Sequence, residues 1–248
     1  MELTLSKGVL LYSVVFACAV LRGITGFGFA IAAVPVISLF MTPETSVAYI
    51  TLLQALIGLY DVPTSSKEAH WPSVSWFSLS SLAGIPVGVY LLTKLDENIV
   101  RIVIAGVVIL AVIGLVNKRG LPIQANVKSA ISCGTFGGLF AGLASMPGPP
   151  AVLYFLGSGI APAQARASMI IFFFFTSLIA IPFLYSAGLI DKNLALYAVL
   201  GLPIFIAGGK IGEEIFKRTS DIGYKKLSIA LLVVTALLTA FKGLSGLL

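Results

Sequence analysis

Apolar residues gather into eight blocks along the chain, at about 8–40, 43–60, 72–93, 99–117, 128–160, 164–187, 193–216 and 222–247. Short, charge-bearing gaps separate them. Six blocks have roughly the length of one helical crossing of a hydrocarbon core. Blocks one and five are different. Each is about 33 residues, or about 50 Å as straight helix, against a core of about 30 Å. Both carry helix breakers near the middle. Block one is interrupted at Gly23 to Gly28, within LRGITGFGFAIAAVP (21–35), and block five within LASMPGPPAVLY, Leu143 to Tyr154. The pattern predicts an all-α polytopic membrane protein in which blocks one and five are broken or re-entrant.

Composition agrees. Of 248 residues, 58% are hydrophobic and only 10% charged, with mean hydropathy +1.04. A soluble domain is about a quarter charged, so this chain has too few polar groups to cover itself in water. The longest polar gap, Asp61 to Ser73, is 13 residues and leaves no room for a soluble domain. The first 30 residues resemble a leader in hydropathy. Glu2, a lone basic Lys7 and an uninterrupted apolar run argue for mature structure instead. The net charge of +6 sits mostly in the gaps. Retention of loops and anionic lipid headgroups account for it, and no nucleic-acid partner is implied. Cys18 and Cys133 are isolated inside apolar blocks and predict neither a disulfide nor a metal site.

The paired interruptions suggest an internal duplication. Pro43 and Ala48 correspond to Pro162 and Ala167. Gly84 and Gly88 correspond to Gly208 and Gly212, and Arg101 to Lys225. These Gly-x-x-x-Gly stretches predict close helix packing in lipid. The expected division is an N-terminal repeat at 8–117, a connecting loop at 118–127 and a C-terminal repeat at 128–248. If every block crosses once, lysines and arginines divide seven against seven and give no orientation. If blocks one and five fold back, the division is nine against five. The nine-residue side is then cytoplasmic, both termini lie outside, and the two repeats are inverted.

Unpaired backbone cannot face lipid, so a break at membrane depth must be buried in protein or line a wet cavity. Two breaks at matching positions point to a transport site. Gly26 and Gly28 permit a turn, and a half-helix is expected from Phe29 toward Phe40. Pro147 is expected to end one helix, with Pro149 and Pro150 opening the next. Thr25 and Ser145 supply hydroxyls for free amides. The exposed N–H groups and dipoles of the two half-helices would favour an anion, and a methyl added at Gly28 or Gly148 should disturb the breaks. Arg22 is the only charge between Lys7 and Glu44. It costs several kcal/mol at membrane depth unless paired or hydrated. Its partner is either a substrate oxyanion, which suits the guanidinium fork, or a distant acid such as Asp61; snorkelling to an interface is the third option. Candidate substrate contacts are therefore Arg22, Thr25, Gly26, Phe27, Gly28, Gln54, Ser145, Pro147, Gly148, Pro149 and Arg166. Gln54 serves equally as an interhelical hydrogen bond, and Arg166 as an interfacial anchor. Lys210 with Glu213 reads as a local ion pair, His70 as an interfacial residue or proton relay, and the 172–175 phenylalanines as lipid-facing or core.

The stretches GLFAGLASMPGPPAVLYFLGSGIAPAQARAS and LRGITGFGFAIAAVP resemble the two half-signatures of the sulfite exporter TauE/SafE family of membrane transporters. The resemblance runs from about Val14 to the end. It implies transport of sulfur-containing oxyanions, either sulfite or organosulfonates such as sulfoacetate, across the inner membrane of a bacterium. The reading that results is a secondary transporter working by alternating access, with a small anion and membrane lipid as partners and no cofactor. An anion channel, or a carrier for other small organic anions, is the alternative. One histidine, isolated cysteines and acids near block ends do not make an enzyme site. A homodimer is left open.

Overall fold

The computed structural model describes residues 4–25, 28–116, 126–157, 159–218 and 221–247. They form ten helices: α1 (Leu5–Thr25), α2 (Phe29–Ile37), α3 (Pro43–Ser65), α4 (Trp71–Lys94), α5 (Glu97–Val116), α6 (Val127–Ala144), α7 (Gly148–Gly157), α8 (Pro162–Ser186), α9 (Lys192–Arg218) and α10 (Asp221–Ser245). Every apolar block is helical, and blocks one and five each give two helices. Among the described residues, α1, α3, α4, α6, α8 and α9 contain stretches long and apolar enough to cross a membrane. The protein is an all-helical, multi-pass membrane protein.

Local signals explain the helix starts. Thr42 accepts a hydrogen bond from the Thr45 N–H, and Pro43 fills the first helical position of α3. Asn126 and Ser129 cap α6 reciprocally. Proline occupies the first turn of α4 and α8. Each device satisfies or removes an amide that the helix cannot pair. The polar gap is shorter than the sequence suggests, because α3 continues through Asp61 to Ser65.

The two breaks use different geometry. Gly28 has φ +93°, a left-handed conformation that side chains resist. Gly26 and Phe27, and the side chain of Thr25, lie outside the described residues. Gly23 is not part of the break as expected; it lies inside α1, where a Cβ would come within 2.2 Å of the Gly209 carbonyl oxygen. The second break begins at Ser145, with φ 55°. The Ser145 N–H reaches Ala141 O and the Met146 N–H reaches Phe140 O, closing α6 in a left-handed turn. Pro147 then separates α6 from α7, as the sequence implied. The Ser145 hydroxyl does not cap α7; it turns to α3.

Small residues set the tightest contacts. On α4, Gly84 and Gly88 lie against Gly138 and Gly142 of α6, and Gly134 of α6 lies against Phe77. The two helices therefore run in the same direction. On α1, Val20 and Gly23 lie against Gly212 of α9, and Tyr12 donates to the Tyr197 carbonyl. This pair is also parallel. Helix α3 packs on α8, and α5 on α10. Tyr49 lies beside Gly201 and Asp61 beside Arg22, so α3 runs along α1 and α9 in their direction. Helix α2 ends next to the start of α3, and so runs back along α1.

The far end of α2 is held by cations, where the helix dipole favours them. Arg101 Nε donates to Ser38 O at 3.2 Å, and Lys242 Nζ donates to Leu39 O. Thr239 Oγ1 reaches Pro35 O at 3.2 Å. In the sequence Arg101 stands out only as the counterpart of Lys225. It is 7% exposed, with Glu97 Oε2 at 3.0 Å from Nη2.

Candidate functional site

The starts of α2 and α7 line one cavity with about 600 Å³ of empty space, mouth included. Gly28 to Ile31 and Met146 to Gly148 form two of its walls. Helix α1 contributes Arg22. Helix α3 contributes Gln54, Ile57, Gly58 and Asp61, and α8 contributes Ile170, Phe173 and Phe174. Two helix N-termini therefore point toward one cavity, with their partial positive charge.

Arg22 Nη2 donates to Asp61 Oδ2. The side chains are 19% and 17% exposed, too deep to be a surface pair and too open to be sealed. The guanidinium carbon lies 5.0 Å from the centre of the Phe205 ring, a cation–π distance. Phe205 in turn meets Phe29 edge-on at 4.9 Å. The guanidinium thus contacts both an aromatic ring and a carboxylate. Of the partners considered from the sequence, Asp61 is the one in place, and Arg22 still faces the cavity.

Gln54 makes the interhelical hydrogen bond that was one of its two expected roles. Its Nε2 donates to Ser145 O at 3.1 Å and to Ser145 Oγ at 2.8 Å, and the residue also lines the cavity. Thr51 Oγ1 donates to the same hydroxyl at 3.0 Å. These bonds pin the buried, left-handed Ser145 to α3 and fix the angle at which α7 leaves the break.

The remaining candidates separate. Pro147 and Gly148 line the cavity, while Pro149 is buried beside it. Pro149 and Pro150 have no N–H, so the α7 tip has fewer donors than the α2 tip. Arg166 is exposed on α8 and does not line the cavity; it lies one turn before Ile170, nearer the helix start. Lys210 and Glu213 are both exposed and form no ion pair with each other among the described residues. The His70 ring nitrogen Nδ1 lies 2.8 Å from Ser73 Oγ, which lies 3.0 Å from the Tyr154 hydroxyl. The histidine therefore ties the α3–α4 connection to α7, away from the cavity. Phe173 and Phe174, read as core or lipid-facing, are cavity wall. Nothing in the spacing of four consecutive phenylalanines separates these two from buried Phe172; only the packing of α8 on α3 does.

The cavity is bounded unequally along α3 and α8. From Gln54 its wall follows α3 toward Asp61 and α8 toward Ile170. In the opposite direction the same two helices are packed shut. Tyr49, Thr51 and Thr176 are each 1% exposed, and Ser177 and Ala180 are 4% and 1%.

The two breaks divide the glycines unequally, and substitutions should reveal it. Gly28→Ala must hold a Cβ at positive φ and is expected to cost about 1–2 kcal/mol of stability. At Gly148 a methyl would meet Ile31 Cδ1 at 3.4 Å and Phe173 Cζ at 3.7 Å. These are ordinary contacts, so Gly148→Ala should keep its stability while narrowing the cavity. Thermal melts of both purified variants check this; a Gly148→Ala protein less stable than Gly28→Ala would contradict it.

A membrane-embedded bundle with two interrupted helices meeting at a charged cavity belongs to the class of membrane transport proteins. The chain belongs to the sulfite exporter TauE/SafE family, whose description matches residues 11–239. The resemblance drawn from the two half-signatures is thereby borne out. A curated relative from Cupriavidus necator, described as "Probable sulfite/organosulfonate exporter TauE", is 22% identical over 216 residues, covering 85% of this chain and 84% of the relative. No solved structure matches the chain. The protein is a multi-pass protein of the bacterial inner membrane.

Proposed function

We propose that the protein is a secondary transporter for sulfur-containing oxyanions, sulfite or small organosulfonates such as sulfoacetate. The observation that carries this reading is the convergence of Arg22 and two helix N-termini on one cavity. A guanidinium fork and backbone amides match an oxyanion with several equivalent oxygens. The C. necator relative's description supports the sulfur class.

The mechanism is alternating access, with two inverted repeats (8–117 and 128–248) rocking about the site; most of the expected connection at 118–127 lies outside the described residues. Several contacts support it. The pair α4–α6 mirrors α9–α1, each parallel and each joined through glycines, and both join one half to the other. Helices α3–α8 and α5–α10 pair across the same division. The closed layer behind Gln54 favours a carrier over a channel, since a channel needs a continuous path. The cavity lining runs toward the α3–α4 connection and the start of α8, where Lys67 and Arg166 belong to the basic-rich side of the sequence count. On this reading the carrier faces the cytoplasm. Arg22, Gly28, Gln54, Pro147 and Gly148 form the contact set; Ser145 and Pro149 support it from behind.

A thermal-shift panel on the purified protein tests the reading. Sulfite, methanesulfonate and sulfoacetate should raise the melting temperature at concentrations where chloride and acetate do not. Equal shifts for every anion would remove the oxyanion assignment.

A further inference from the structure

Asp61 has no role in the reading above beyond neutralising Arg22, and that role has a consequence. The cation that should meet the substrate is already bonded to a carboxylate of the protein's own. Both groups line the cavity, and both are reachable from its mouth. We propose that Asp61 competes with the substrate for Arg22, and that each anion bound is accompanied by one proton taken up on Asp61. This inference rests on the proposed anion site and adds its coupling.

The argument is one of charge. With Asp61 on Arg22 the pair is neutral. If an anion joins and Asp61 stays ionised, two negative groups share one guanidinium between apolar walls made by Ile57, Phe173 and Phe174. Like charges this close disfavour each other's ionised forms. Protonation of Asp61 removes the conflict. The step balances as follows: the Arg22–Asp61 ion pair, one oxyanion and one proton from water at the mouth give an Arg22–oxyanion pair and a neutral Asp61 carboxylic acid. One O–H bond forms on Asp61, and the net charge of the loaded site equals that of the unloaded one.

Among the described residues lining the cavity, Arg22 and Asp61 are the charged groups. On α1, Arg22 is the described residue that meets Asp61 and lines the cavity. The α2 tip, the α6–α7 break and α8 present backbone and apolar side chains to the cavity. On α9, Phe205 covers Arg22, and Lys210 and Glu213 are exposed. On α3 itself, the Thr64 hydroxyl bonds the Asp61 carbonyl, not its carboxylate, and Lys67 and Glu68 are exposed beyond the helix end.

The experiment is calorimetric titration of the full-length protein with methanesulfonate, an anion that does not itself titrate near neutral pH. It is repeated in buffers of different ionisation enthalpy. The wild type should take up about one proton per anion and bind more tightly as pH falls. Asp61→Asn should take up none, lose the pH dependence and bind roughly tenfold or more tightly, because the competitor is gone. Binding by the wild type without proton uptake overturns the inference and leaves the anion site standing. Proton uptake that persists in Asp61→Asn also overturns it. Unaltered binding in Arg22→Gln overturns the anion site, and this inference with it. The wild-type measurement decides the matter even if the variant is unstable.

Discussion

Arg22→Gln is expected to abolish oxyanion binding while the protein still inserts and folds. Truncating one partner of a desolvated charge-assisted pair costs about 2–5 kcal/mol, some 30- to 5,000-fold in Kd. Two consequences must be kept apart. The substitution removes the guanidinium from the substrate, and it also strands Asp61, whose side chain is only 17% exposed. A stranded carboxylate lowers stability or picks up a proton. The double variant Arg22→Gln with Asp61→Asn separates the two, because it leaves no uncompensated charge. It should regain the wild-type melting temperature and still fail to bind sulfite or methanesulfonate. Wild-type affinity in either variant would remove Arg22 from the site and leave the helix tips alone.

Gly88→Leu should prevent the protein from folding to a stable form. A Cβ at this position would lie 2.3 Å from Leu139 O and 2.8 Å from Leu143 N, both backbone atoms of α6. Backbone cannot turn aside as a side chain does, so α4 and α6 would have to separate along their whole glycine seam. Lipid gives little hydrophobic incentive for two helices to stay together; close van der Waals contact does that work. Overpacking of this kind costs about 1–3 kcal/mol or more in ordinary cores, and a backbone clash belongs at the upper end. At about 2–4 °C per kcal/mol, a fall of about 6–12 °C or outright aggregation is expected in detergent. Gly106→Leu is the control, since nothing lies within 4 Å of a Cβ there. If both variants melt alike, the seam does not hold the halves together.

The helices and their two interruptions could be read from residue order because each depends on local chemistry. Unbroken apolar runs have no alternative to helix in lipid. Pro147 removes an amide, and Gly28 permits a turn wherever the chain goes. The glycine spacing on α4 and α9 likewise announced close packing. It did not reveal the partners, and Gly23 was misplaced in the break because a packing glycine and a turning glycine look the same in sequence.

The site was legible only in part. Arg22 was conspicuous as a lone cation, and Asp61 could be named as one partner among several. That they meet depends on α3 running alongside α1, which no local signal encodes. Gln54 was visible as a lone amide, but its bonds to Ser145 join residues 91 apart. Arg166 and Arg101 show the opposite error. Charge made the first a candidate contact and gave the second no role, and packing leaves one exposed and buries the other.

By itself, then, the sequence determined the solvent, the helices, the broken pair and the presence of a costly internal cation, since each follows from the properties of a few neighbouring residues. The tertiary structure alone decided which groups share the cavity and that the cation already holds a carboxylate. Those are questions of which helix lies beside which, and they are settled by long-range packing of small residues.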